Sequence, residues 1–178
     1  MTTYIALLRG INVGGKNKLR MEDLKNCLET CGFKRIKTYI QSGNVVFDSP
    51  IKNNTSIEQT IQTAIHNTFQ LNPDVIVVSK TELDIVVSHN PYPTDSGTSL
   101  HVYFLKTPAA SPDFMRLEQL KKVSEDYTLT DNVLYLHAPE GIGRSKLAAA
   151  IESSLGVSCT ARNWNTLSKL QALSAPEK

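Results

Sequence analysis

Cysteine is scarce in this chain: Cys27, Cys31 and Cys159 are the only three in 178 residues. Three cannot build a disulfide framework, and the C-x-x-x-C spacing of the first pair is not one that structural zinc sites use. They read as small buried apolar residues. The four histidines, His66, His89, His101 and His137, show no metal-ligand spacing, so neither a metal nor a cofactor is expected. Aromatic residues make up 7%, with one tryptophan. The stretches "TYIALLRG" and "VVFD" lack the aromatic signature of an RNA-recognition sheet. No apolar run approaches the roughly 18 residues of a membrane helix. "MTTYIALLRG" has no basic segment ahead of its apolar residues and no small-residue cleavage site. A cytoplasmic protein with no membrane partner is the resulting expectation.

The chain does have charge, and that charge is unevenly placed. The net +2 divides into +5 over residues 1–37, −6 over residues 38–140 and +3 over residues 141–178. Both basic ends also hold the glycine-rich and asparagine-rich stretches. If the ends meet in space they form a positive patch suited to an anionic partner. Surfaces patchy by chance are the alternative.

Hydrophobic periodicity gives an order of elements. Tyr4 to Leu8 reads as a buried strand, and "MEDLKNCLETCG" as an amphipathic helix with Leu24, Cys27, Leu28 and Cys31 on one face and Gly32 at its C-terminal end. "IKTYIQSGNVVFD" reads as a hairpin turning at Ser42-Gly43. A helix opens with Thr55 and Glu58 at capping-box spacing, and "DVIVVS" follows as a strand. A short helix capped by Ser79 and Glu82 leads into the turn-rich linker "HNPYPTDSGTS". The order then repeats: strand "LHVYFL", a helix with Pro112 in its first turn, hairpin "EDYTLTDNVLYLH", helix "GRSKLAAAIESSLG", strand "VSCTA" and a terminal helix. Tyr39, Asn44, Val45 and Phe47 match Tyr127, Asn132, Val133 and Tyr135 at a constant offset of 88 residues, which points to duplication. The expected fold is α+β, with two ferredoxin-like β-α-β-β-α-β halves and an extra C-terminal helix. The first half covers residues 1–90 and the second residues 99–178, in tandem or sharing one core.

Three loops hold the candidate chemistry. In "LLRGINVGGKNKLRM", Gly10, Gly15 and Lys16 fall on the phosphate-loop spacing G-x-x-x-x-G-K. A magnesium-binding hydroxyl should follow the lysine, however, and Asn17 stands there; the helical pattern begins only near Met21. A triphosphatase is therefore not expected. A flexible loop with Arg9, Gly10, Asn12, Gly14, Gly15, Lys16, Lys18 and Arg20 remains, read either as an anion-binding nest or as a plain surface turn. "EGIGRSKLAAA" places Gly141 and Gly143 before a helix, with Arg144 and Lys146 on its first turn. There the two cations oppose the helix dipole, and a bound anion would relieve the conflict. "TARNWNTLSKL" gathers Arg162, Asn163, Trp164 and Asn165; the tryptophan fits a core anchor or a stacking platform, and the polar residues fit contacts to phosphate or base edges. Gln41, Ser42 and Asn44 form a further amide-rich turn, though turn geometry alone favours such residues.

Together, "ALLRGINVGGKNKLRMEDL", "TYIQSGNVVF", "GIGRSKLA" and "TARNWNTLSKL" resemble the uncharacterised bacterial family known as domain of unknown function 1697, over about Tyr4 to Leu173. The resemblance implies a soluble bacterial α+β protein with ferredoxin-like substructure. It brings no activity, ligand or catalytic residue. On the residues alone, the leading expectation is a binding module for a phosphorylated or polyanionic partner such as nucleic acid. An enzyme acting on a small phosphorylated metabolite or nucleotide is the second reading, with Glu22, Asp23 or Glu140 as its nearest acid or base. A protein-interaction scaffold is the third.

Overall fold

The apolar run near the start of the chain forms strand β1 (Thr2–Arg9), which lies at the centre of a sheet because both of its faces are apolar. Tyr4, Ala6 and Leu8 look to one side and Ile5 and Leu7 to the other, and all five are buried. The computed structural model describes residues 1–176. Two units separate within it: Met1–Ile85 with the chain from Lys169 onward, and Val86–Ser168.

In the first unit, β1 is followed by α1 (Met21–Thr30), β2 (Lys34–Tyr39), β3 (Asn44–Ser49), α2 (Asn54–Phe69), β4 (Asp74–Ser79) and α3 (Lys80–Ser88). The strands take the order β2-β3-β1-β4, every neighbouring pair antiparallel. This is the ferredoxin-like β-α-β-β-α-β arrangement. Tyr4, Ala6 and Leu8 pack with Leu24 and Leu28 of α1 and with Ile57, Ile61 and Ile65 of α2. The 3.6-residue spacing of those isoleucines selects this face, and each fully buried aliphatic side chain contributes about 1.5–3 kcal/mol. Helix α1 stops where Gly32 takes a left-handed φ of 84° and donates its N–H to the Glu29 carbonyl. At α3 the expected capping box forms in full: the Ser79 N–H donates to Glu82 Oε2 at 2.6 Å, and the Glu82 N–H donates to Ser79 Oγ at 3.2 Å.

At α2 the expected cap is displaced. Asn53, two residues ahead of Thr55, caps the helix by accepting the Ser56 N–H. Glu58 is thereby released to reach the edge strand, where its Oε1 accepts the Val77 N–H at 2.9 Å, while Asn54 Nδ2 donates to the Val77 carbonyl at 3.1 Å. In the terminal helix α6 (Trp164–Leu173), Gln171 donates to Asp84 of α3, whose other carboxylate oxygen accepts from Lys80.

The second unit repeats the order with β5 (Leu100–Leu105), α4 (Phe114–Leu120), β6 (Asp126–Leu129), β7 (Val133–His137), α5 (Lys146–Leu155) and β8 (Cys159–Asn163), in the sheet order β6-β7-β5-β8. Tyr103, Leu105, Leu134 and Leu136 pack against Leu117, Leu147, Ile151 and Leu155. Pro112 lies outside α4, which starts after an Asp113 cap that accepts the Arg116 N–H. The 88-residue offset holds for β3 and β7 but not for the strands before them. Tyr39 pairs with Asn44 beside its turn, whereas Tyr127 pairs with Leu136 deeper in its hairpin. The two turns, residues 40–43 and 130–132, differ in length and so shift the register.

Strand β2 carries one extra residue between Lys34 and Lys37, a bulge at which Arg35 takes a φ of 48°. The bulge aims Arg35 along the sheet at Asp48, with Nε to Oδ2 at 2.5 Å and a terminal nitrogen to Oδ1 at 2.9 Å, and Thr3 Oγ1 also donates to Oδ1 at 2.8 Å. These bonds, the guanidinium's foremost, hold the Asp48 carboxyl below the usual carboxylate range although burial pushes it up. A lowered folded-state value stabilises the fold above the unfolded value of about 3.9, and that stabilisation is lost as pH falls through the folded value. Asp48→Asn is expected to cost about 1–2 kcal/mol in urea unfolding at pH 7. The cost should shrink towards zero by about pH 2; an equal cost at both pH values would contradict this linkage.

Candidate functional site

Because β1 pairs with β3 on one side and β4 on the other, the chain leaving it at Arg9 emerges at the end of the sheet, beside the β2-β3 turn. The Leu8 N–H donates to the Gly43 carbonyl, and a Cβ on Gly43 would stand 2.7 Å from the Leu8 Cβ. Gly43, at φ 86°, is thus needed both for its conformation and for the close approach.

The segment from Gly10 to Arg20 is built as a small closed hairpin. Val13 and Lys16 form a bridge, with the Lys16 N–H on the Val13 carbonyl, across Gly14 and Gly15 at φ 57° and 75°. Two successive positive φ values give the tight turn that joins antiparallel chain segments. Asn12 and Asn17 also take left-handed φ, at 53° and 51°. The Asn12 side chain accepts the Leu19 N–H and donates to the carbonyls of Leu19 and Gln41, each at 2.8 Å, and Asn17 Nδ2 donates to the Gly10 carbonyl. Ile11 and Leu19 are buried at the base, while residues 13–18 are exposed. Several backbone polar groups of the loop are satisfied internally, so its outward chemistry is that of the Lys16 and Lys18 side chains. Arg9 also lies exposed at the end of β1, and Arg20 pairs with Glu22 at 3.4 Å.

The neighbouring turn divides into inner and outer residues. Asn44 is fully buried, donating to the Tyr39 carbonyl and to Ser42 Oγ, and so shapes the turn from within. Gln41 and Ser42 are exposed.

In the second unit the two remaining loops share one end of the sheet, because β7 and β8 both run antiparallel to β5 and finish beside its start. The lead-in to β5 is gripped from both sides: the Ala138 N–H donates to the Ser99 carbonyl and the Trp164 N–H to the Gly97 carbonyl. Helix α5 begins at Lys146 with Ser145 as its cap, so Arg144 precedes the helix instead of lying on its first turn, and Gly143 does not adopt positive φ. Arg144 and Lys146 are exposed. Asn163 caps α6 by accepting the Thr166 N–H at 2.9 Å, and the Asn165 side chain lies where a Cβ on Gly97 would be. Trp164 is half-buried. Arg162 is half-buried on the sheet face opposite α4 and α5, and donates to the Ala161 carbonyl; desolvation pushes its guanidinium down to about 10, still cationic at neutral pH.

Of the acidic candidates, Glu140 accepts from Lys122 Nζ at 2.9 Å and from Ser124 Oγ at 2.8 Å, which keeps its carboxyl below the usual range. Glu22 is engaged by Arg20, and Asp23 lies half-buried in the first turn of α1. Burial pushes the Cys31 thiol up, away from the reactive thiolate form. Among the described residues no three His, Cys, Asp or Glu side chains cluster as metal ligands would, and no helix is long and apolar enough to cross a membrane.

Sequence reasoning missed two positions in the first unit. Asn17 stood out only as the wrong residue for a phosphate loop, yet it closes the hairpin. Ile40, in the β2-β3 turn, takes a φ of 49°. No sequence signal marks it, since β-branched residues are among the least suited to that conformation.

The sequence model of a family described as protein of unknown function (DUF1697) matches residues 1–135, about three quarters of the chain. The chain belongs to this family. The DUF1697 match spans the stapled loop and the β2-β3 turn, while "GIGRSKLA" and "TARNWNTLSKL" lie beyond it. No curated protein matches the chain. Among solved structures, a conserved bacterial protein from Streptococcus pneumoniae is similar at 21% identity and a TM-score of 0.70, over 98% of this chain and 99% of that one. At that identity the likeness concerns the fold.

Asn12 is the clamp of the loop, and two substitutions separate its parts. Asn12→Gly keeps the left-handed backbone and loses the side-chain bonds, at an expected cost of about 1–2 kcal/mol; Asn12→Ala should cost about 1 kcal/mol more. Both should speed hydrogen exchange at the Leu19 amide. Unchanged protection there would show that the side chain is not what closes the loop.

Proposed function

We propose that this chain is a cytoplasmic bacterial binding module for a phosphorylated polymer, with nucleic acid the chief candidate, and that the loop Gly10–Arg20 is its principal contact. One observation carries the reading. Five of the eight residues from Gly10 to Asn17 are held at positive φ, two of them asparagines, to project a closed loop whose exposed cations include Lys16 and Lys18. Left-handed backbone at non-glycine residues costs free energy, and such expense concentrates where a surface must be presented in one shape. A closed cationic projection suits phosphates, because the loop backbone that carries the lysines needs little reordering on binding. Arg9, Arg144, Lys146 and Arg162 are further cationic candidates of the same module.

The enzyme reading has one observation against it. Glu140 is held as a carboxylate by Lys122 and Ser124 and makes a poor proton donor.

Binding of a fluorescent oligonucleotide at rising salt tests the proposal. Affinity should fall linearly on a log-log plot, and the Lys16→Gln/Lys18→Gln variant should reduce the slope by about 0.7 per lysine on single strands. Absence of binding even at low ionic strength would overturn it.

A further inference from the structure

The β2-β3 turn is costly to the fold in two ways at one position. Ile40 sits at φ 49°, where a β-branched side chain is strained, and is 50% exposed, so its apolar surface is only partly withdrawn from water. Gly or Asn there would relieve both. Val13, 64% exposed at the adjoining loop, repeats the second cost. The Asn12 bond to the Gln41 carbonyl ties the loop to the turn one residue away from each of them. Gln41 follows Ile40 in the same turn, and its side-chain amide is exposed with no partner among the described residues. Lys16 and Lys18 are exposed on the same loop as Val13.

We propose that this edge of the first unit is a contact for unpaired nucleobases of a single-stranded nucleic acid. Resting on the polyanion reading above, the inference adds what the phosphates alone do not require. Lys16 and Lys18 engage the backbone, Ile40 and Val13 cover the face of a splayed base, and the Gln41 amide meets its Watson–Crick or Hoogsteen edge. Charge complementarity commits the lysines to an anionic polymer, and the amide favours bases over lipid. A bilayer interior would reward the two aliphatic tips but leave the Gln41 donor and acceptor unsatisfied.

The test uses the full chain with an oligonucleotide about 12 nucleotides long, in single-stranded and duplex form, and inorganic polyphosphate of similar charge. Ile40→Gly and Ile40→Asn both accept the left-handed backbone, so their melting temperatures should match or exceed that of the native chain. Each should bind the single strand about tenfold more weakly, with duplex and polyphosphate affinities unchanged. Lys16→Glu/Lys18→Glu should weaken all three. Equal affinity of the native chain and both Ile40 variants for the single strand would overturn base contact while leaving polyanion binding intact. Failure of the native chain to bind any of the three would remove both readings. Ile40-dependent binding to phosphatidylserine vesicles, with none to oligonucleotide, would overturn the inference in favour of a membrane surface.

Discussion

Everything in the first unit depends on the position of β1. A strand hydrogen-bonded along both edges and apolar on both faces has no exit except along its own axis. The chain is therefore delivered to the sheet end at Arg9, where the β2-β3 turn also arrives. Loop and turn become neighbours as a result of strand order, and the Asn12 clamp then sets how they meet. The second unit obeys the same rule, but its two candidate loops follow β7 and β8 and thus leave beside the start of β5, whereas the first loop leaves at the end of β1. In terms of the repeated topology, they are not copies of one site.

Much of the asparagine chemistry that looks like ligand binding in sequence is spent on architecture. Asn12 and Asn17 close a loop, Asn44 lines a turn from inside, and Asn163 caps a helix. Short amides mimic backbone groups and tolerate left-handed conformations, so they gather wherever the chain turns sharply. What is left pointing outward is the complement of that set: lysines, one glutamine and two aliphatic tips. The division explains why a motif with the phosphate-loop spacing presents side-chain cations instead of a row of amides.

The fold was largely legible because its signals are local. Period-two and period-3.6 patterns, the Ser79-Glu82 box and the Gly32 terminator each depend on residues within one turn of one another, and the structure keeps them. Where Thr55 and Glu58 misled, a tertiary demand won, because Glu58 is needed at Val77. The candidate loops were legible as places and much less as chemistry. Which atoms of Asn12 are consumed depends on Leu19 and Gln41, and Gln41 is 29 residues away. Ile40 was invisible because its strain exists only once the turn has four residues between its strands.

The bonds from Asn54 and Glu58 to Val77 also bear on how the protein meets copies of itself. An edge strand with a bare N–H and C=O is a template on which another chain can add a strand. Here the sheet's own helix occupies those groups at Val77 of one edge strand. At the opposite edge, β2 is broken by its bulge and carries Lys34, Arg35 and Lys37. Neither border invites sheet extension, which counts against a scaffold that recruits partners by strand addition. A protein that offers little to a passing β-strand can keep an exposed cationic, partly apolar surface at the end of its sheet while limiting one common route to aggregation.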